Sequence, residues 1–492
     1  MVSIHTSHSG CHAVTLDRWG NAYLFGRNAS SCLGVPFSAE PVISEQAPRV
    51  LKPATIGATK FVNAACGRSH TLLISDDGEV YSAGNNSLGQ CGHSPKSEVT
   101  TFTRINGPWS SSDKAVSASA GVSFSVVLTE SGKVFSFGSA ESGQLGNGRT
   151  GERITTGNKS AFDIEWEPIP VLGLDKSTIV QITSGQQHSM ALSQDGLVYV
   201  WGNGGFSRLG LGNPKDQLIP VTVGKFSVDR QNMRGERVIA GPTSSAVIDR
   251  QGQYWLAGKW KISGDGSSGQ PYSTYRYFQD ISSCRMLGAS HGGVTHFVWC
   301  PTEDEEGVMT IAWGQSANNY ELGLGDGQPK SATKPVEVVP LSGISVFSVA
   351  AGAHTTLFLA APNDKLSELE RYPEVDPVEQ CMVCKKVDEN EEDGPTLLEC
   401  EKCENPYHLH CLTPPLTEVP EGEWFCPKCV AEADSRKSAG VPPKKSSNGA
   451  SSKKRSRAND EDEGMSEGDA STSTNEDRSQ KRSKKSNGGS GH

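Results

Sequence analysis

The stretch that decides the fold begins at Cys66-Gly67-Arg68-Ser69-His70 and continues through the apolar run 71–75 to the turn pair Asp77-Gly78. It then enters the aromatic strand Val80-Tyr81, closes on Gly84 and ends in the turn Gly89-Gln90-Cys91-Gly92. Each apolar run is strand-length and bounded by glycine, which reads as short strands joined by tight turns. The phrase returns at Ser184-Gly185-Gln186-Gln187-His188, Asp195-Gly196, Val198-Tyr199-Val200-Trp201-Gly202 and Arg208-Leu209-Gly210. The glycine closing the aromatic strand falls at Gly26, Gly84, Gly138, Gly202, Gly258 and Gly314, intervals of 58, 54, 64, 56 and 56 residues. A turn position (His12, His70, Phe124, His188 or Ser244) lies 14 residues before it each time. In the sixth unit His291 lies 23 residues before Gly314, which places an insertion around 301–307. A seventh turn, Gly352-Ala353-His354, is followed by one apolar run and no aromatic strand.

A fixed register inside a variable period is one supersecondary unit repeated, with loops absorbing the differences. Several short strands per unit and about seven units describe a radial propeller. The recurring glycines supply positive φ at turns and close strand packing near the axis. His12, His70, His188 and His354 share one position in the repeat, where Phe124 and Ser244 replace them. A metal or catalytic role would not tolerate that exchange, so hydrogen bonding in the core is the role expected of them. The repeats resemble the regulator-of-chromosome-condensation repeat family, a seven-bladed propeller, over roughly residues 1–362. The stretches 136–146 and 201–212 carry the likeness, which is closest to the family's second, chromosomal-passenger-type member. Two departures stand out. The fifth unit has Gly258 and Gly266 but no Leu-Gly, so that blade is degenerate. The chain begins just before the His12 turn, so the strands that would complete the seventh blade are expected to be missing: either that blade is short or the protein starts upstream of Met1.

The other informative region holds seven cysteines and one histidine: Cys381-x2-Cys384, Cys400-x2-Cys403, His408-x2-Cys411 and Cys426-x2-Cys429. Four two-ligand pairs, each spaced to grip a metal from one knuckle, can make two complete tetrahedral zinc sites. A segment of about fifty residues buries too little apolar surface to fold alone, so metal is the expected source of its stability. Thiolate-rich closed sites leave no open coordination position, which argues against hydrolytic zinc chemistry. His410 is an alternative to His408, but it adjoins Cys411 and leaves no room for a chelating knuckle.

Histidine stands fifth among the ligands and Trp424 lies two residues before Cys426. The run 420–427 and the run 407–412 resemble histone-reading plant homeodomain (PHD) fingers. A ubiquitin-ligase RING usually places its histidine earlier, which weakens that reading. The resemblance implies cross-braced pairing, with Cys381, Cys384, His408 and Cys411 on one zinc and Cys400, Cys403, Cys426 and Cys429 on the other. It implies that Trp424 packs between the two sites. It also implies that Thr396, Leu397, Leu398 and Glu399 accept the histone H3 tail as an added strand, with carbonyls around Pro420, Glu421 and Gly422 capping its free amino terminus. A trimethyl-ammonium needs aromatic faces. Cage-type readers carry Trp two residues before the histidine ligand, whereas Pro406 stands there in this chain, and Leu398, two before Cys400, is not aromatic either. The loop 388–394, with Glu392 and Asp393, is acidic and suits an ammonium that can still donate hydrogen bonds. The H3 tail is therefore expected with its fourth residue unmethylated or weakly methylated.

The rest of the chain frames these two parts. Net charge is −10, which excludes general nucleic-acid binding for the whole molecule. The six cysteines outside the cluster show no framework spacing and read as reduced, and the amino-terminal residues carry no secretory pattern, which together fit an intracellular location. Residues 363–379, with a short helical pattern at 365–372, read as a linker, and 380–430 as the finger. From 431 to 492 the chain is poor in apolar residues and expected to be disordered. There Lys444-Lys445 and Lys453-Lys454-Arg455 suit a bipartite nuclear import signal, and the basic clusters allow at most weak non-specific nucleic-acid contact. No Walker-type or GxSxG motif supports an enzyme. The sequence therefore reads as mainly β, a seven-bladed propeller followed by a small two-zinc finger. The leading functional expectation is a nuclear chromatin adaptor whose finger binds the H3 tail while the propeller docks a protein partner. The rival is a guanine-nucleotide exchange factor for a Ras-like small GTPase acting through the propeller.

Overall fold

A computed structural model of the chain describes residues 1–36, 48–227, 231–260, 270–303, 307–315, 317–361, 380–386, 397–400, 405–420 and 424–431. The chain divides into two compact units, Met1–Pro362 and Asn363–His492. The linker helix expected at 365–372 and the basic clusters at Lys444, Lys445, Lys453, Lys454 and Arg455 lie outside the described residues.

The first unit is built from up-and-down antiparallel sheets. The second of them shows the pattern: Phe61–Cys66, His70–Ser75, Val80–Asn86 and Lys96–Arg104, each hydrogen-bonded to the next. Among the described residues six such four-stranded sheets form, and their first strands follow one another around an axis: Ser3–Thr6, Phe61–Cys66, Ala115–Ala120, Ile179–Ser184, Gly235–Ala240 and Gly288–His291. The expected seven blades are corrected here to six. The seventh turn gives only a two-stranded sheet, Val346–Ala351 with Thr356–Ala360. Its first strand lies beside both Gly288–His291 and Ser3–Thr6. The third sheet alone among those described inserts a further hairpin, Arg153–Thr155 with Lys159–Ala161, between its third and fourth strands.

The second strand of each blade is covered on both faces. His70–Ser75, Phe124–Thr129, His188–Ser193 and Ser244–Asp249 are buried along their whole length, which is why they read as unbroken apolar runs rather than alternating ones. Each gap between neighbouring sheets, from the first sheet to the two-stranded one, holds its own apolar cluster. One is Val14, Leu24, Phe61, Leu73 and Tyr81; another is Phe124, Val126, Ala191, Tyr199 and Trp201. The turn position pairs with the closing glycine in each of the first five blades: His12 with Gly26, His70 with Gly84, Phe124 with Gly138, His188 with Gly202 and Ser244 with Gly258. At Gly84 φ is 119°, and a Cβ would run into Ser69 O and the His70 backbone.

Register corrects two sequence assignments. In the sixth blade the residue opposite Gly314 is Thr295, not His291, which instead ends the first strand. The insertion is real and lengthens the hairpin Thr295–Pro301 with Val308–Gly314. In the seventh unit Gly352 N–H donates to Thr355 O, as Gly67 N–H donates to His70 O, so Thr355 holds the turn position and His354 lies one residue before it. His354 is exposed, with Nδ1 3.7 Å from Glu321 Oε1. Gly314 also differs from the other closing glycines, since it is absent from the positive-φ set.

The buried histidines staple neighbouring blades. His12 Nε2 lies 2.9 Å from Thr71 Oγ1, which donates to Cys32 O at 2.7 Å. His70 Nε2 lies 3.0 Å from Ser125 Oγ, which donates to Gln90 O at 2.7 Å. Since each hydroxyl spends its proton on a carbonyl, each imidazole donates from Nε2. Burial pushes His12 down to about 4 and, with the neighbouring His12 adding to it, His70 to about 3, so both are neutral at pH 7. Side chains also cover the open edges of the axial strands. Gln181 pairs with both Val238 N–H and Val238 O, at 3.1 and 2.9 Å, and Asn63, Thr183 and Ser290 accept from Ala118, Ala240 and Ala351 N–H. This satisfies edges that would otherwise invite another strand. Around the axis these strands leave a polar cavity of about 390 Å³.

Candidate functional site

The second unit places the metal ligands on very little secondary structure. Leu397–Glu399 and Pro406–His408 pair antiparallel, Leu397 opposite His408 and Leu398 opposite Tyr407. His408 thus ends a strand, and the short turn Leu409–Cys411 that follows brings Cys411 to the same side. The knuckle at the start is tied to this sheet by Met382 N–H donating to Pro406 O at 2.8 Å and closed by Lys385 N–H donating to Cys381 O at 2.8 Å. Lys385 has φ of 60°, the left-handed conformation that lets the knuckle reverse.

Cys381, Cys384, His408 and Cys411 converge, their ligand atoms all within 4.8 Å of one another. His408 Nδ1 lies 3.2 Å from Cys384 Sγ and 3.8 Å from Cys411 Sγ. Cys400, Cys426 and Cys429 form a second group under the same limit. Cys403, its expected fourth member, lies outside the described residues. His410 joins neither group; its ring stacks on His408 with centroids 5.0 Å apart. The sulfurs are prepared as anions by the backbone. His408 N–H donates to Cys381 Sγ at 3.3 Å and Cys426 N–H to Cys400 Sγ at 3.2 Å. Burial works against the Cys381 thiolate, but N–H groups of Cys384, His408 and Val383 outweigh it and bring the thiol down to about 6. Three sulfurs and an imidazole nitrogen at this separation fit the soft, tetrahedral demand of zinc.

The apolar remainder is small: Leu398, Tyr407 and Leu412 are buried with Cys400, Cys426 and Cys429, and Trp424 packs half-buried against them. Trp424 meets Tyr407 edge to face at 5.7 Å. Tyr407 was no part of the sequence reading of this core, although its place one residue before a ligand inside a strand marks it.

The residues expected to meet a histone tail are only partly described. Leu398 is buried in the finger's core, Leu397 is half-buried and Glu399 is exposed. Among the described residues this strand is paired on one side only. Pro420 is half-buried, and Glu392, Asp393, Thr396, Glu421 and Gly422 lie outside the described residues.

Comparison with known proteins matches each unit. Residues 2–358 match the family described as RCC1-like domain, and residues 381–429 match the PHD-finger family. Protein RCC2 from Mus musculus is 30% identical over 396 residues, covering 76% of this chain and 72% of that protein. Protein RCC2 from Homo sapiens is 28% identical, covering 76% and 71%. Among solved structures, that of Prp20p from Saccharomyces cerevisiae, described with its binding properties to Gsp1p and histones, superposes with a TM-score of 0.56. It is 18% identical, with 73% of this chain and 81% of that one covered. Human WBSCR16 superposes with a TM-score of 0.55 at 20% identity, covering 73% and 85%. The finger's zinc-binding character and the repeat character of the propeller follow from these matches together with the ligand groups.

Proposed function

Starting from the fact that the chain belongs to the RCC1-like domain family and carries a zinc-binding PHD finger, we propose that it is a nuclear, chromatin-associated adaptor whose finger binds the histone H3 amino-terminal tail. Two structural zinc ions hold the finger, with Cys403 completing the second group. The observation that carries this reading is the strand Leu397–Glu399, paired on one side only among the described residues and anchored through Cys400 at its end. A tail added there gains main-chain hydrogen bonds along a strand too short to attract much else. The tail's fourth residue is read unmethylated or weakly methylated, because Leu398 is turned into the core and Pro406, buried in the partner strand, offers no aromatic face. Titrating the full chain with H3 peptides carrying zero or three methyl groups at that residue tests the proposal. Tighter binding of the trimethylated peptide would sink it.

The propeller docks a protein partner. The hairpin of the third blade supports this: Ile154 on it is 74% exposed, and its base is braced by Arg149 on Glu165 at 2.7 Å and Arg153 on Asp163 at 3.1 Å. The same hairpin suits the rival reading, guanine-nucleotide exchange on a Ras-like small GTPase. An exchange assay over a panel of such GTPases separates the two. Acceleration that survives deletion of residues 380–430 would favour exchange.

A further inference from the structure

The strands around the axis share one irregularity. In Phe61–Cys66, Ala115–Ala120, Ile179–Ser184, Gly235–Ala240 and Val346–Ala351 the ladder with the next strand passes over the second residue, a β-bulge at the same place in five repeats. A bulge re-aims the extra side chain, and here that side chain meets water. The residues so exposed are Val62, Val116, Val180, Glu236 and Phe347, each five positions before the turn glycine of its repeat. Leu287 stands at that position in the sixth blade. Val2 holds it in the first, where Thr6 pairs with Ala13 as Cys66 does with Thr71. Because the seven axial strands neighbour one another in a closed circle, these residues ring one end of the axis. All but Glu236 are apolar, and each apolar one is between 40% and 54% exposed.

One exposed valine is unremarkable, but the same apolar choice at equivalent positions around a ring makes a patch of the kind that marks a contact surface. Its surroundings have the layout of an interface. The turns between second and third strands stand outside the ring at the same end. There the N–H groups of Asp76, Glu130, Gln194 and Arg250 donate to the carbonyls of Lys60, Lys114, Thr178 and Arg234, each two places before a ring position. Those turn residues are polar and exposed, so an apolar centre lies within a polar rim. The charged ring position, Glu236, is followed by Arg237, which is also exposed. Neither is ion-paired among the described residues. The ring is thus apolar except at one blade, and that blade offers one acid and one base.

We propose that this face binds the same face of a second copy of the chain, propeller to propeller, about a two-fold axis that crosses the ring at the fifth blade. Such an axis carries the fourth blade of each copy onto the sixth of the other, the third onto the seventh unit and the second onto the first. Val180 then meets Leu287, Val116 meets Phe347 and Val62 meets Val2, apolar on apolar throughout. At the axis Glu236 of each copy meets Arg237 of the other, the reciprocal contact of an isologous interface. The register is fixed by that pair, because an axis through any other blade sets Glu236 against an apolar side chain. This goes beyond the adaptor reading and does not depend on it.

Sedimentation equilibrium of the full chain over micromolar concentrations tests this. The mass expected at the upper end is that of two chains. Val116→Asp or Val180→Asp should return the mass to one chain, with circular dichroism and H3-peptide affinity unchanged, since both side chains project from the surface. Glu236→Arg and Arg237→Glu, taken singly, each set like charges against one another and should weaken self-association at least about tenfold. Mixed in equal amounts, these two variants should pair again, because each then supplies the charges that the other lacks. A wild-type chain that stays single throughout overturns the proposal. So does a dimer indifferent to the valine variants, or a mixture of the two charge variants that stays apart. None of these results touches the adaptor reading, which H3 binding decides.

Discussion

The propeller and the finger reach order by opposite routes. In the propeller every sheet-to-sheet gap from the first to the seventh unit has an apolar cluster, with Trp201, Trp313, Phe61 and Phe124 fully buried. Hydrogen bonds from His12, His70 and Trp201 stitch neighbouring blades. Among its described residues the finger has three buried apolar side chains besides its cysteines and two three-residue strands. One unit is held by area spread over many residues, so that no single one is decisive. The other is held by a few bonds to an ion, so that every ligand is.

Four experiments break or sharpen that contrast, the largest effect first. Chelating zinc, or replacing Cys400 by Ala, should unfold the finger and abolish H3-peptide binding while the propeller's melting temperature stays put. The free energy at stake is on the order of 10 kcal/mol. A propeller that melts with the finger would erase the distinction. Trp201→Ala should cost the propeller about 3–5 kcal/mol in a denaturant titration, losing both buried area and the bond to Gln144 O, with zinc content unchanged.

Acid should then act on the propeller without metal. Burial holds His5, His8 and His12 at about 4 in the folded state, against an ordinary value of 6.5. The unfolded chain takes up these protons first, so stability is complete above pH 6.5 and is lost as pH falls toward 4. Thermal melts across that window should show a steady drop that added zinc does not reverse; a flat profile would contradict the buried neutral imidazoles. The smallest effect is expected of His70→Phe, which copies Phe124 at the same position. It loses only the bond to Ser125, whose hydroxyl keeps Gln90 O, and should cost about 1 kcal/mol by chemical denaturation.

Much of both regions was legible in advance because their signals are local. The 14-residue step from turn position to closing glycine is one hairpin, and the structure pairs those residues directly. The order Cys, Cys, His, Cys belongs to the four residues that the structure gathers around His408. The failures arose where spacing changed. His291 and His354 attracted the turn assignment by residue type, but Thr295 and Thr355 hold it, because a ladder register is set by main-chain pairing and is blind to an imidazole nearby.

The sequence by itself determined a repeated unit of several short strands and a cluster of ligands that demands metal, since turns, strands and knuckles each depend on residues a few positions apart. Only the tertiary structure decided that six blades are complete and the seventh position holds two strands. It alone decided that His12, His70 and His188 each serve the neighbouring blade. Those outcomes depend on which edges meet around a closed ring, and closure is a property of the whole circle that no single repeat carries.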